Sequence, residues 1–157
     1  ESIGLDMVEN SYFTTDRRRE ALERVLDTQQ RTDADRHGTV GAVAIDQNGN
    51  LAAATTTGGM TAKMHGRIGD SPLIGAATYA QNGVCAVSAT GHGEYFIRVG
   101  VAKTICARVE LAGEDIQTAS ENALGQVANL GGDGGVVARR VEVLERSPSF
   151  ERRRARR

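Results

Sequence analysis

The chain has 157 residues, 39% of them hydrophobic but only 4% aromatic, so it is long enough for one domain whose core must be built from Ala, Val, Ile and Leu. Its formal net charge of −1 gives no overall pull toward nucleic acid or a membrane surface. No run is long and apolar enough to span a bilayer, and no secretory signal pattern opens the chain, which begins with Glu rather than Met and is expected to start further upstream.

Residues 2–13 carry scattered apolar positions (Ile3, Leu5, Met7, Val8, Tyr12, Phe13), the pattern of a short helix followed by an extended piece. Thr15 reads as an N-cap with Asp16 in the first turn, and over residues 16–30 the apolar Ala21, Leu22, Val25 and Leu26 recur at helical spacing. Residues 31–37 are polar and aperiodic, a solvated linker that ends at Gly38. Residues 39–45 read as a strand, 46–50 as a hairpin turn in which Asn48 and Gly49 supply positive φ angles, and 51–56 as the return strand. A basic, Gly-rich loop fills residues 57–70. Residues 73–79 and 84–89 are expected as strands joined at Gln81-Asn82-Gly83, and 90–94 as a tight loop. Residues 95–107 and 115–130 read as helices parted near Gly113. After a Gly-rich turn at 131–135, Val136 to Ala138 begin a strand that stops at once.

From residue 139 the chain holds eight Arg and three Glu, a net of +5 that leaves −6 on the rest. A solvated basic tail is the plain reading. A nucleic-acid arm is weaker, because Phe150 is the one aromatic residue among the cations. A reading-frame change is preferred, since a strand begun at Gly135 should continue and pair. Cys85 and Cys106 lack metal-ligand spacing and sit in apolar surroundings, so they read as reduced, buried thiols of a cytoplasmic protein. No His, Cys and Asp cluster points to a metal, and nothing calls for a cofactor.

The chemistry-bearing positions lie in the middle of the chain. A Thr inside a chain is a weak nucleophile, but one freed at its own N-terminus carries an α-amine that can act as base for its own hydroxyl. Cleavage of the Gly38–Thr39 bond would create such a group on a strand, and Gly38 tolerates the backbone angles that cleavage requires. Taken alone, Thr39 could as well simply open the strand, as β-branched residues do. Thr57 lies in a run of three, and Thr55 or Thr56 would serve equally. Arg67 and Asp70 suit a carboxylate and an ammonium, or form an exposed loop ion pair of little worth. Thr90 and Gly91 belong to a turn whose glycines have a steric explanation. His37 and His65 express loop polarity, and His92 would shape a pocket.

Five stretches together resemble the isoaspartyl peptidase and plant-type asparaginase family of N-terminal-threonine hydrolases. They are Gly-Thr-Val-Gly-Ala-Val-Ala at 38–44, Thr-Thr-Thr-Gly-Gly-Met at 55–60, Gly-Arg-Ile-Gly-Asp-Ser-Pro at 66–72, Thr-Gly-His-Gly-Glu at 90–94 and Leu-Gly-Gly-Asp-Gly-Gly at 130–135. The resemblance runs over residues 4–138 and implies an α+β fold, part of an αββα sandwich made as a precursor that cuts itself before Thr39. Residues 1–38 would be the end of the α subunit and linker, 39–138 the β-subunit core, and 139–157 a basic tail foreign to the family. The family's earlier portion with its sodium-binding loop, and its late hairpin, fall outside the likeness, so this stretch is expected to cleave slowly or not at all. The resemblance makes Thr39 the nucleophile, Thr57 its hydrogen-bonding partner, and Thr90 with the Gly91 N–H the oxyanion hole. Arg67, Asp70 and the Gly93 carbonyl would hold the substrate's amino-acid end. The substrate would be asparagine or an isoaspartyl dipeptide, with αβ pairs forming dimers and no nucleic-acid or membrane partner. A glycosylasparaginase-type amidohydrolase and an inactive fragment of the same fold are the alternatives.

Overall fold

A computed structural model of the chain describes Gly4, residues 6–28 and residues 38–141. They divide into two compact units, Glu1–Gly38 with Gly58–Arg67, and Thr39–Thr57 with Ile68–Arg157.

In the first unit the expected short helix is only a 3-10 turn, Asn10–Phe13, which buries nothing. Helix α1 follows over Asp16–Thr28. The Thr15 hydroxyl accepts the Arg18 N–H at 3.4 Å, and Asp16 complements the positive end of the helix dipole. The helix buries Ala21 and Val25 but leaves Leu22 and Leu26 exposed. The linker at 31–37, His37 included, lies outside the described residues. In the loop segment of this unit Lys63 donates its ammonium to the Gly58 carbonyl. Gly59 (φ +81°) and Ala62 (φ +56°) both adopt left-handed backbone there, which for Ala costs about 1–2 kcal/mol.

The second unit begins with a hairpin, β1 (Val40–Ile45) antiparallel to β2 (Leu51–Thr56). Its turn is organised by Asp46, whose carboxylate accepts the N–H groups of Asn48 and Asn50 and the Asn50 amide, each at 2.8 Å. Gly49 has a positive φ (+83°), but Asn48 does not, so the turn is an Asx-type loop rather than the Asn-Gly type expected. Three further antiparallel strands form a sheet in the order β3 (Thr78–Gln81), β4 (Cys85–Gly91), β5 (Gly134–Arg140). Helices α2 (Gly93–Val99), α3 (Val101–Leu111) and α4 (Ile116–Asn129) complete the unit. Its core joins Cys85, Val87 and Ala89 of β4 to Phe96, Val101, Ile105, Cys106, Val109, Ala119, Ala123 and Val127 of the helices. Among the described residues no helix is long and apolar enough to cross a membrane.

Four sequence expectations are corrected here. Residues 73–77 are a turn rather than a strand, and residues 95–107 do not form one helix. One contact explains both. Gly75 (φ +91°) turns the chain so that its carbonyl and that of Ala76 accept the N–H groups of Lys103 and Ala102, at 2.9 and 3.1 Å. Those are first-turn donors of α3, which has no intrahelical partners for them. The helix therefore starts afresh at Val101, after Gly100 (φ +61°) has ended α2. Next, β5 does not stop at Ala138. It continues to Arg140 and pairs with β4 as far as Cys85, which removes the reason for preferring a reading-frame change. The remainder of the basic tail, from residue 142, lies outside the described residues. Finally, Cys85 and Cys106 are joined as a disulfide with Cα atoms 5.5 Å apart, not reduced thiols. Both face the core, one from β4 and one from α3, a proximity that 21 residues of sequence separation do not reveal.

Closing a loop of this length is worth about 3 kcal/mol. Chemical denaturation in reductant, or of the Cys85→Ala/Cys106→Ala double variant, is expected to show that loss; an unchanged midpoint would contradict the bridge. A second expectation concerns acid. Thr118 donates to Asp115 from its hydroxyl and its N–H, with the Gln117 N–H adding to them, and these bonds hold the carboxyl below its usual value. Arg108 donates twice to Glu114, at 2.8 and 2.7 Å, and lowers it likewise. Depressed carboxyls contribute stability that is present above the unfolded range of about 4 and is lost as pH falls through the folded values. Thermal unfolding should move down in temperature through that range, and Asp115→Ala should flatten the dependence.

Candidate functional site

The β1–β2 ladder sets the geometry of the two leading threonines. Val40 pairs with Thr56, so one step further out Thr39 stands across from Thr57. Their side chains meet there, with the Thr39 hydroxyl donating to Thr57 Oγ1 at 3.0 Å. A slip of one residue would turn every side chain of a strand to the other face. Thr55, two residues further in on the same face, is committed elsewhere. It lies 2.7 Å from the Ser88 hydroxyl on β4 and accepts the Thr78 hydroxyl of β3 at 2.6 Å. Of the three equivalent-looking threonines only Thr57 faces Thr39, whose backbone nitrogen follows Gly38 directly.

Ser88 is almost fully buried, and a Cβ added at Gly41 of β1 would collide with it. Glycine at 41 thus lets β1 approach β4. The opposite side of the hairpin carries Val40, Ala42, Ala44, Ala52 and Ala54, all exposed. The Thr78–Thr55–Ser88 chain was not singled out in the sequence. Three scattered hydroxyl residues give no local signal before the strands are brought together.

Thr90 and Gly91 form the end of β4 rather than a free loop, and Gly93 opens α2. A Cβ at Gly91 would stand 2.8 Å from Gly134 Cα and closer still to the Asp133 carbonyl and the Phe96 ring. The glycine is therefore required by close approach of β4, β5 and α2. His92 sits between the two glycines, a quarter exposed. Its Nδ1 is 3.0 Å from the Asp133 carboxylate and 3.3 Å from the Asp133 N–H, and its own N–H bonds the Asp133 carbonyl. This contact ties the 90–94 segment to the Gly-rich turn before β5. Asp133 was not a sequence candidate; its place within Leu-Gly-Gly-Asp-Gly-Gly is the only local hint.

Asp70 belongs to the second unit and is 7% exposed, unlike the solvated loop residue of the plain reading. Arg67 ends the loop segment of the first unit, where Nη1 lies 3.4 Å from the place a Gly59 Cβ would take. That unit also holds a hollow of about 510 Å³ lined by Phe13, Arg18, Leu22, Met60 and Lys63, among others, and by none of the sequence candidates. His65 is exposed and makes no described contact. Among the described residues no group of His, Cys, Asp and Glu converges as a metal site.

Residues 1–143 match the profile of the family described as asparaginase. The chain is similar to the isoaspartyl peptidase of Escherichia coli (strain K12), with 54% identity over 102 residues, 64% of this chain and 32% of that protein. It is 41% identical over 138 residues to the isoaspartyl peptidase/L-asparaginase of Homo sapiens, covering 83% of this chain and 44% of the relative. With the Mus musculus protein of that name the identity is 43% over 141 residues, 87% and 43% of the two chains. The chain thus spans less than half the length of these relatives.

The close approach at Gly91 is testable by stability. Gly91→Ala is expected to cost about 1–3 kcal/mol through overpacking, whereas Gly135→Ala, where an added Cβ meets nothing, should stay within about 0.5 kcal/mol. Equal melting temperatures for the two variants would refute the packing assigned to Gly91.

Proposed function

The chain belongs to the asparaginase family, and from that membership we propose that it is a hydrolase of β-aspartyl amide bonds, in isoaspartyl dipeptides and asparagine, with Thr39 as its nucleophile. The observation that carries the reading is the Thr39 hydroxyl bonded to Thr57 at 3.0 Å, on the residue immediately after Gly38.

The chain is first a precursor in this reading. Thr39 Oγ1 attacks the Gly38 carbonyl, the carbon–nitrogen bond breaks to free the Thr39 amine, and hydrolysis of the resulting ester restores the Thr39 hydroxyl. That amine, with a reference pKa of about 7.7–8.0, is partly neutral near neutral pH and takes the proton of its own hydroxyl. Thr57 holds the hydroxyl in orientation. The attack falls on the side-chain carbonyl of the substrate, and an acyl ester forms as ammonia or an amino acid leaves. Water then releases aspartate. Thr90 and the Gly91 N–H stabilise the oxyanion, a role for which a rigid strand end suits better than a loop. Arg67 pairs with the substrate carboxylate, and Asp70 with the Gly93 carbonyl takes the ammonium.

The αββα sandwich belongs to the same reading. A face of Val40, Ala42, Ala44, Ala52 and Ala54 is apolar where a two-layer structure would expose polar residues, and a helical layer over it accounts for that composition. Residues 1–38 then end an α subunit, Thr39 starts the β subunit, and αβ pairs dimerise.

Mass spectrometry of the purified chain is expected to show slow splitting into residues 1–38 and 39–157, with Thr39→Ala remaining intact. Activity is measured as ammonia release from asparagine and as cleavage of β-Asp-Leu. Thr39→Ala should lower both by at least about 10³-fold, and Thr57→Val by about 10²-fold. Equal activity in Thr39→Ala would end the assignment.

A further inference from the structure

One cation of the first unit sits directly against the residue whose carbonyl must be attacked. A Cβ built on Gly38 would stand 2.5 Å from Arg18 Nη2 and 3.7 Å from its Cζ. Arg18 is on the first turn of α1, where the Thr15 carbonyl and hydroxyl engage its backbone N–H. Its guanidinium makes no hydrogen bond or ion pair with any described residue. The neighbouring Arg19 differs, since Asp16 and Glu23 hold it at 3.3 and 3.2 Å. Lys63, which shares the hollow with Arg18, is turned to the Gly58 carbonyl. The hollow leaves room for water beside the Arg18 side chain.

We propose that Arg18 stabilises the negative charge that develops on the Gly38 carbonyl during self-cleavage, and afterwards holds the new Gly38 carboxylate. The inference rests on the reading of Thr39 as a self-released nucleophile.

The charge balance of the step gives the cation its place. Thr39 Oγ1 bonds to the Gly38 carbonyl carbon, its proton passes to the Thr39 nitrogen, and the carbonyl oxygen becomes an oxyanion. The carbon–nitrogen bond then breaks, leaving Gly38 as an ester on Thr39 Oγ1 and a free amine. Water adds to the ester, and a second oxyanion forms on the same oxygen. The ester bond breaks, the Thr39 hydroxyl is restored, and Gly38 departs as a carboxylate. Negative charge therefore appears twice on Gly38 in passing and once permanently. A guanidinium at this residue interacts weakly with the neutral peptide and more strongly with each charged species, as rate acceleration requires. Its planar fork also matches the carboxylate product.

The test follows splitting of the full 157-residue chain by mass spectrometry for wild type, Arg18→Ala, Arg18→Lys and Thr39→Ala. Each is incubated with and without hydroxylamine, which traps the ester, and wild type and Arg18→Ala also with millimolar guanidinium. Arg18→Ala is expected to split about tenfold more slowly, less than the full loss of a buried oxyanion donor because Arg18 is exposed. Arg18→Lys should keep part of the rate. Added guanidinium should restore Arg18→Ala without speeding the wild type, and all variants should keep the wild-type melting temperature. Wild-type splitting rates in Arg18→Ala would overturn the proposal while leaving the Thr39 reading intact, as would a slow rate that guanidinium does not restore. A wild-type chain that stays whole even in hydroxylamine would overturn both.

Discussion

The register of one hairpin fixes the position of the leading chemical group. The Asp46 carboxylate gathers the N–H groups of Asn48 and Asn50 and so sets the length of the turn between β1 and β2. Turn length fixes pairing, pairing sets Val40 against Thr56, and the next pair outward is Thr39 with Thr57. The hydroxyl contact at the open end of the hairpin is therefore decided seven residues away, at its closed end. Two residues further in on the same face, Thr55 meets Ser88 and Thr78 and so anchors the hairpin to the three-stranded sheet through hydroxyl groups.

The sheet and helices of the second unit hold the other end of the candidate machinery. Phe96 is buried under Gly91 and Gly134, and both glycines are needed for the strands to close over the ring. Thr90 and Gly91 are thereby placed on a strand whose inward residues form the centre of the core, with the disulfide fixing its other end. A site on such an element is held more rigidly than one on a loop. The loop of the first unit behaves differently. Its backbone holds Ala62 in a left-handed conformation, and its Lys63 is spent on closing the loop. Strain of this kind is kept where the surroundings over-determine it.

Charge is used sparingly. The ion pairs within α1 are exposed and add little to stability. The more consequential carboxylates are those that accept several hydrogen bonds at once: Asp46 in the hairpin turn and Asp115 at the start of α4, joined by Glu114 under the Arg108 fork. Asp46 and Asp115 satisfy backbone donors left open at a turn and a helix start, while Glu114 accepts the side chains of Arg108 and Asn122. The positions of these groups at loop and helix boundaries mean that acid acts first on connections between elements rather than on the apolar core.

Local chemistry was legible in the sequence wherever one segment could express it. The β1–β2 hairpin, α1 with its Thr15 cap, α4 with Asp115 at its head, and the glycine before Thr39 all follow from periodicity, caps and turn residues within a few positions of one another. What depended on distant partners was not legible. The first five residues of the strand expected at 73–79 became a turn because α3 needed carbonyls from it, and the break at Gly100 follows from that contact. β5 outran its apolar residues because backbone pairing with β4, which carries no side-chain signature, extended it to Arg140. The choice of Thr57 over Thr55 required the register, and the pairing of Cys85 with Cys106 required a strand and a helix to face each other across the core. The sequence by itself determined which chemical groups are present and which short segments curl or extend. Only the tertiary structure decided which of those groups meet, because meeting depends on packing between segments that no local pattern records.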